Sequence, residues 1–327
     1  MHPGSMRDPA PLPEELRERA FSLESGRSLG LSRKRMLASG LDIPFRGVRA
    51  ANDLNDVRAR CEAYSSRMLP QHCFSHVTAA LLWGVPLPRP LEARAAIDVS
   101  ALHGRTRPRM RGVLGHELSG QQVHVVRRHG LPVTDPITTW LQLAAVLADA
   151  WLVAAGEHLV LDPIVRDPRD PRPHARLEEF AERIRSFDGR GAAKARRALS
   201  RMRLGVESPR ETFLRLDLLA AGLPEPEVNG EIRDAQGRLI AIGDLVYRPQ
   251  MVLVEYDGDH HRTDSRQYRR DIERQDLLVE LGWRRIRVGR DFPRTGPRSA
   301  VERTRAALSR SSTRQFVPLR GRRKGTK

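Results

Sequence analysis

The chain of 327 residues has little cysteine, few aromatic residues and no long apolar segment. Two cysteines, Cys61 and Cys73, are too few for a disulfide framework or a four-cysteine metal site, so we expect two buried thiols. No apolar run reaches the roughly 20 residues that a transmembrane helix needs. The first residues also lack the apolar core of a secretory signal. These absences predict a cytoplasmic protein without a membrane partner.

Acidic residues are scarce relative to basic ones, because 57 Lys and Arg stand against 40 Asp and Glu and give a formal charge of +17. The guanidinium group of arginine suits two-point contacts with phosphate, and such a charge attracts polyanions over long range. We therefore expect a nucleic-acid partner, with acidic lipid or an acidic protein as alternatives. A GC-rich genome by itself raises the arginine count, but it explains less well why acids are outnumbered.

A chain of this length is expected to hold two or three domains. Its patterns divide it into a helix-turn-helix-like region (1–53), a mixed α/β middle domain (54–162), a linker with a basic helix (163–204), a compact α–β–β–β–α–β–α domain (205–310) and a basic tail (311–327). The predicted fold class is therefore α+β or α/β, with a helical, winged-helix-like N-terminal region. The sequence does not indicate an oligomeric state.

Residues 14–50 are typical of a helix-turn-helix variant with a basic wing. Helical patterns run over 13–21 and 33–38, and 43–49 has the pattern of an extended wing. The second helix of such a unit enters a major groove of duplex DNA, although short helix pairs with exposed arginines also occur without a DNA-binding role. The cations expected to contact nucleic acid here are Arg33, Lys34, Arg35 and Arg46.

The middle domain is predicted to be mixed. Two helical stretches cover 54–83, and the second of them, 75–83, contains His76, which we expect to be a structural histidine. Strand-like patterns follow at 96–99, 112–116 and 123–126. Helical patterns then cover 137–147 and 148–160.

Acidic residues of the C-terminal domain occupy positions where a strand should be buried. The strands predicted over 239–247 and 251–257 carry Asp244 and Glu255 among apolar neighbours, and a buried, unpaired carboxylate is costly. If Asp244 stands opposite Leu253, the two acids are diagonal neighbours on one face, about 7–8 Å apart. Oxygen ligands of this kind suit a hard divalent cation. We therefore expect Asp244 and Glu255 to hold Mg²⁺ or Mn²⁺.

Three further residues are candidates for chemistry beside this cation. Metal-assisted hydrolysis needs a proton acceptor near the attacking water, and His260 or His261 follows the second strand closely enough to serve. The sequence leaves open which of them acts, and both can instead lie on a surface loop. Glu211 lies in the first turn of a helix capped by Ser208, three residues after the cap. There it can complete a capping box, act as an outer ligand to metal-bound water, or do both.

The helix predicted to follow residue 264 or 265 and to end at Gly282 is basic. Its residues Arg270 and Arg274 are one turn apart on the same face. Cations over a scissile phosphate stabilise the charge that develops during hydrolysis, so we expect both to contact nucleic acid. A solvated face with acidic partners one turn away is the alternative interpretation.

Five separate blocks in the last third of the chain carry a family resemblance. They are Glu211–Leu216, Gly243–Tyr247, Val254–His261, Arg269–Arg274 and Leu281–Val288. In these blocks the sequence resembles the family catalogued as domain of unknown function 559, which is similar to the very-short-patch-repair endonucleases of the PD-(D/E)xK nuclease superfamily. The resemblance implies a restriction-endonuclease-like mixed sheet flanked by helices, and Mg²⁺-dependent phosphodiester hydrolysis. It also implies that Asp244 and Glu255 are the metal ligands.

The sequence departs from the family pattern at Asp257, which stands where the motif usually has a lysine. Three consequences are open, in order of preference: a histidine takes over the role of the lysine, Asp257 binds a second ion, or the site is inactive. The N-terminal part, over Leu37–Arg49 and Ser75–Pro86, is similar to the helix-turn-helix regions of AbiEi-type antitoxins.

The leading hypothesis is a DNA-binding, Mg²⁺-dependent endonuclease that a helix-turn-helix region positions on double-stranded DNA. The alternative is a non-catalytic transcriptional regulator or antitoxin-like protein with a degenerate nuclease fold. An RNA-processing nuclease is a third reading. Phosphate contacts dominate affinity in all three, so the salt dependence of binding does not separate them.

Overall fold

The computed structural model describes residues 10–38, 40–102, 104–118, 123–257, 265–289, 293 and 295–314, with backbone only for 265–270 and 311–314. The chain forms two compact units. Unit 1 comprises residues 1–160 and 172–201, and unit 2 comprises 161–171 and 202–327. This division groups residues 172–201, part of the predicted linker segment, with the first unit. The described part is a mixture of helices and three open sheets, which confirms the α+β class.

Unit 1 contains ten short helices and seven strands within its described residues. The helices are α1 Glu14–Arg17, α2 Leu23–Ser28, α3 Arg33–Met36, α4 Val57–Ser65, α5 His76–Leu82, α6 Arg89–Glu92, α7 Pro136–Leu143, α8 Asp149–Val160, α9 Leu177–Arg185 and α10 Ala192–Arg201. The strands are β1 Phe21–Ser22, β2 Val48–Arg49, β3 His72–Phe74, β4 Ile97–Ala101, β5 Val113–Glu117, β6 Val125–Arg128 and β7 Leu131–Thr134.

The N-terminal region differs in detail from the predicted pair of helices. The first helix ends at Arg17, and Phe21 begins strand β1, which pairs antiparallel with β2. The predicted wing forms a strand only at Val48–Arg49. Helix α3 has four residues and ends at Met36, and Arg49 is buried and donates from Nε to the Met36 carbonyl at 2.6 Å. The basic wing is therefore partly tied down by the helix that precedes it.

A five-stranded sheet organises the rest of unit 1. Its strand order is β5-β4-β3-β7-β6, with β3–β4 and β6–β7 antiparallel and β4–β5 and β3–β7 parallel. The three strands predicted in this region are confirmed as β4, β5 and β6, but β3 and β7 were missed. Both are short and fully or mostly buried, so they lack the alternation of apolar and polar residues that marks a half-exposed strand.

The helices of unit 1 supply its apolar interior. The two helices predicted after the sheet are present as α7 and α8, and Trp140 on α7 is fully buried, with its ring against Phe180 of α9. Cys61 and Cys73 are buried free thiols, as expected. Burial raises the pKa of the Cys73 thiol to about 12. In the described part of the chain no helix is long and apolar enough to cross a membrane.

Unit 2 has the element order that the sequence predicted for its C-terminal domain. Its elements are α11 Pro209–Ala220, β8 Glu227–Arg233, β9 Leu239–Tyr247, β10 Val252–Asp257, α12 Ser265–Glu280, β11 Arg284–Gly289 and α13 Ala300–Arg314. The sheet order is β11-β10-β9-β8. Strand β9 pairs antiparallel with both β8 and β10, and β11 is parallel to β10. Antiparallel strands follow short turns, whereas the parallel pair needs the crossover that α12 provides.

Two apolar clusters cover the two faces of this sheet. One joins leucines of α11 and an alanine of α13 to residues of β9, β10 and β11, among them Leu245, Val254 and Ile286. The other joins Leu278 of α12 to residues that include Val246 and Leu253. The central strand β10 is thus buried on both faces, and any polar side chain near its end needs a partner.

The loop before β5 packs closely against a glycine of that strand, and a substitution there can test this packing. A Cβ atom built at Gly115 would lie 1.9 Å from the carbonyl oxygen of Pro108. Gly115→Ala should therefore destabilise unit 1 by about 2 kcal/mol or more, because a backbone carbonyl cannot move aside as a side chain can. The measurement is urea unfolding followed by circular dichroism. The neighbouring Leu114 is largely exposed, so Leu114→Ala is the control, and equal losses for both variants would contradict the packing.

Candidate functional site

The candidate site lies where strands β9 and β10 of unit 2 separate. Leu253 stands opposite Val246 rather than Asp244, and the ladder is paired as far as Val254 with Leu245. One residue further the same register sets Asp244 opposite Glu255. There the Oδ2 atom of Asp244 accepts a hydrogen bond from the Tyr256 backbone N–H at 2.7 Å. The two acids are therefore closer in register than the diagonal pair considered from the sequence.

The carboxyl group of Asp244 is crowded by other acids. Its pKa is raised from 3.8 to about 7, first because the group is buried, and also because the negative charges of Glu211 and Glu255 lie close to it. The Tyr256 hydrogen bond and the positive charge of Arg274 oppose this shift. Glu211 and Glu255 thus act on Asp244, and these three of the four predicted acids lie at this end of the sheet.

Glu255 and Asp257 are each paired with an arginine of β11. Glu255 is buried, and its Oε2 accepts a hydrogen bond from Arg285 Nε. Arg285 also donates to Gln275 of α12 at 3.2 Å. Asp257 forms an ion pair with Arg287. In the structure the predicted ligand Glu255 is therefore held by a guanidinium group, and Asp257 has a cation beside it.

Glu211 has the capping role that the sequence allowed. Its backbone N–H donates to Ser208 Oγ at 3.3 Å, while its carboxylate accepts from the Ser208 hydroxyl at 2.7 Å and from the Glu207 N–H at 3.0 Å. Burial is the main cause of the raised pKa of this carboxyl group. The carboxyl group that completes this capping box is also one of the two whose negative charge raises the pKa of Asp244.

Arg274 of α12 is the cation that acts on the carboxyl group of Asp244. Its positive charge lowers the pKa of Asp244, and its Nη2 lies 3.8 Å from Asp271 Oδ1. Its Nε is buried and has no hydrogen-bond partner among the described residues. The structure gives Arg270 a place on α12 without describing its side chain, and His260 and His261 lie outside the described residues.

The acidic side chains at this end of the sheet meet part of what a metal ion needs. Within the described ranges, which stop at residue 257 and resume at 265, no group of three or more His, Cys, Asp or Glu is arranged to hold a metal ion. Mg²⁺, however, usually keeps several waters and takes only one or two carboxylates from a protein. Asp244 and Glu255 fit such a cation in chemistry and in charge, and the Arg285 ion pair is the feature that a cation would have to share or displace.

The four N-terminal cations lie in unit 1 and are not equivalent. Arg33, Lys34 and Arg46 are exposed. Arg35 is half-buried, and its Nε donates to the Ala10 carbonyl. The first three are therefore free to contact a polyanion, whereas Arg35 also has a structural role.

Arg285 was missed by the sequence reasoning. It lies in β11 in a run of alternating basic and apolar residues, Arg284–Val288, in which Ile286 and Val288 face an apolar cluster. That alternation indicates that Arg285 and Arg287 share the opposite face of the sheet, which is the face that carries Glu255. The signal was present, but only the strand pairing could connect it to the acid.

The comparisons with known proteins found no match: no protein-family model, no curated protein and no solved structure matches the chain.

Replacing Asp244 by Asn should change the pH dependence of stability. A carboxyl group whose pKa is higher in the folded than in the unfolded state favours folding when it is protonated, so Asp244 weakens the fold progressively as the pH rises from about 4 to about 7. In EDTA, Asp244→Asn should gain on the order of 3 kcal/mol in unfolding free energy at pH 8 relative to wild type, and little at pH 5. Urea unfolding at the two pH values measures the difference.

The matched control for this experiment is Asp276→Asn, because Asp276 is an exposed carboxylate of α12. Its effect on stability should be small and nearly the same at both pH values. A gain for Asp244→Asn that does not change with pH would show that this carboxyl group is not crowded.

Proposed function

We propose that unit 2 is a nuclease that hydrolyses phosphodiester bonds of DNA with the help of Mg²⁺ or Mn²⁺, and that it acts in the cytoplasm. The observation that carries the proposal is the position of the buried Asp244 carboxyl beside Glu211 and Glu255. Burial first, and then these two negative charges, raise its pKa to about 7. An enzyme gains nothing from three adjacent acids that repel one another unless a cation, a proton or both relieve the repulsion.

Asp244 and Glu255 would hold the divalent cation, with Glu211 behind them. When bound, that cation would polarise a phosphoryl oxygen and lower the pKa of a bound water. Asp244 is oriented for this role by the Tyr256 N–H, and Glu211 by its capping box with Ser208. The site therefore rests on backbone and cap interactions rather than on flexible side chains alone.

Arginine residues of unit 2 would bind and orient the phosphate. Arg274 has a buried Nε without a partner among the described residues, so it is able to donate to a phosphate oxygen close to Asp244. Arg285 supplies a fixed positive charge beside Glu255. These two cations are candidates to replace the charge of the motif lysine, whose place Asp257 takes, while His260 or His261 remains the proposed group for proton transfer.

The architecture and the charge of the chain support the same proposal. The order α11-β8-β9-β10-α12-β11-α13 around a mixed sheet is compatible with the restriction-endonuclease-like fold implied by the family resemblance. The formal charge of +17 favours a polyanionic substrate. In unit 1 the exposed Arg33, Lys34 and Arg46 are the proposed contacts of a helix-turn-helix-like region with duplex DNA.

A non-catalytic DNA-binding regulator, transcriptional or antitoxin-like, is the second candidate. The specific observation in its favour is that the acids of β10 already have partners, because Glu255 pairs with Arg285 and Asp257 with Arg287. In that case the arginines would stabilise a nuclease fold that has lost its cation.

Incubation of the purified protein with supercoiled plasmid separates the two functions. Wild-type protein with Mg²⁺ or Mn²⁺ should nick the plasmid, because the acids can then hold the cation. Asp244→Ala and Glu255→Ala should lower the rate at least about a hundredfold, as is typical when a group that stabilises the transition state is removed. The readout is the conversion of supercoiled to open circular DNA on a gel.

Asp276→Ala, which alters an exposed acid on α12, is the control and should nick at the wild-type rate. Equal nicking by wild type and both site variants would point to a contaminating nuclease. If no preparation nicks the plasmid, and the two site variants bind duplex DNA as tightly as the wild type does, the regulator is favoured.

A further inference from the structure

Two histidine rings of unit 1 are stacked against each other. His76 begins α5, and His116 lies in β5. Their ring centroids are 3.9 Å apart, and the ring planes are inclined by only 19°. Stacked imidazoles this close repel each other when both are protonated, so a fold that keeps them together needs a reason to do so.

A buried carboxylate, that of Asp98, forms a hydrogen bond with the ring of His116. Its Nε2 bonds to Asp98 Oδ1 at 2.9 Å, and Asp98 is almost completely buried. The other oxygen of Asp98 accepts from the backbone N–H and hydroxyl of Thr78 and from Arg94. A carboxylate accepts only, so the Nε2 of His116 carries a proton. Its Nδ1 has no hydrogen bond within the described residues.

A chain of two hydroxyl groups fixes the proton on the other ring. Ser100 Oγ donates to Ser75 Oγ at 2.6 Å, and Ser75 Oγ lies 3.0 Å from His76 Nδ1. Both serines are fully buried. Because Ser75 Oγ already accepts from Ser100, we assign the Ser75 proton to a bond with His76 Nδ1, which places the His76 proton on Nε2. Burial and then the charge of His116 lower the pKa of His76 to about 4, so this ring is neutral at pH 7.

The backbone of His76 is held in an unusual conformation. Its φ angle is +50°, in the left-handed region that is uncommon for residues other than glycine, although histidine is among those found there more often. Such strain persists where the surroundings fix it, and it is common at functional sites. Here the fixing contact is the His76 N–H, which donates to Gln142 Oε1 at 2.8 Å.

Unused donors surround the pair. Because Gln142 must accept through Oε1, its Nε2 points elsewhere, and it is buried without a partner among the described residues. Arg94 Nε is buried and without a partner in the same sense. The ring nitrogens that bond to Ser75 and Asp98 face the interior. His76 Nε2 and His116 Nδ1 lie on the far side of each ring from these bonds and have no partner among the described residues, and both side chains are partly exposed.

A metal ion does not suit this arrangement. The lone pair of an imidazole nitrogen lies in the plane of its ring, and two nearly parallel planes 3.9 Å apart do not converge on one ion. Two N–H groups, one on each of two rings whose centroids are 3.9 Å apart, instead match two oxygen atoms of one tetrahedral anion.

We propose that the outer edge of the His76–His116 stack is a binding site for a phosphate group, with His76 Nε2–H and His116 Nδ1–H as donors and Arg94 as the neighbouring positive charge. Because its Nε2–H donates to Asp98, His116 has an Nδ1–H only as the imidazolium ion, so the anion binds that form and Asp98 balances its positive charge. Free phosphate and the backbone of a nucleic acid share this chemistry. The site is independent of the acids in unit 2.

Imidazole NMR signals of the full-length protein, labelled with ¹⁵N-histidine, test the proposal at pH 6.5. Inorganic phosphate and a short DNA duplex are titrated separately. The signals of His76 and His116 should shift saturably with at least one of them. Shifts with phosphate assign the site to a phosphate group as such, and shifts with the duplex alone assign it to the nucleic-acid backbone.

Two conservative variants remove the donors without removing the internal hydrogen bonds. His116→Gln places an amide N–H where Nε2 bonds to Asp98, and His76→Asn keeps an acceptor near Ser75 and tolerates a positive φ angle. Each should weaken binding about tenfold or more, as expected for a lost hydrogen bond to a charged ligand. His124→Gln, which changes an exposed histidine, is the control and should bind as wild type does.

The proposal would be overturned if the imidazole signals of His76 and His116 did not shift with either probe. It would also be overturned if both variants bound the probe as tightly as wild type. Circular dichroism of each variant confirms folding before the titration. Because Asp244→Ala alters only unit 2, it should leave these shifts unchanged even if plasmid nicking is absent in every preparation.

Discussion

The mutual repulsion of acids around the buried Asp244 carboxyl is the constraint on which the account of unit 2 depends. Burial is the largest of the causes that raise the pKa of Asp244 to about 7, and the negative charges of Glu211 and Glu255 add to it. The fold opposes this cost with one backbone hydrogen bond and with Arg274, and it pairs Glu255 with Arg285. A core of apolar residues at these positions would be simpler and at least as stable, and this is why we propose a ligand that carries positive charge.

The topology explains why these groups meet. The strand β10 is buried on both faces by clusters that include α11 and α13 on one side and α12 on the other. Helices from both faces can therefore bring side chains to the end of β10, where β9 leaves it. Glu211 arrives from the start of α11 and Arg274 from α12, while Arg285 comes from the parallel neighbour β11.

Much of this could be predicted from the sequence, and the failures have physical causes. The order of elements in unit 2 was predictable because glycine, proline and capping residues mark their ends. The register of β9 and β10 was not, since a 3₁₀ turn at Arg248–Gln250 sets it and moves Leu253 opposite Val246. The pairing of Glu255 with Arg285 depends on that register and on the crossover through α12. In unit 1, His76 was expected to be structural, and only the pairing of β4 with β5 brings His116 beside it.

The most direct test is the pKa of the Asp244 carboxyl, measured by ¹³C NMR titration with and without Mg²⁺. Without the cation the carboxyl should titrate near pH 7. With saturating Mg²⁺ it should titrate well below that value, because a bound divalent cation favours the ionised form. A carboxyl that titrates near 4 in both conditions, or near 7 in both, would contradict the account, since it would then be either uncrowded or unable to bind the cation.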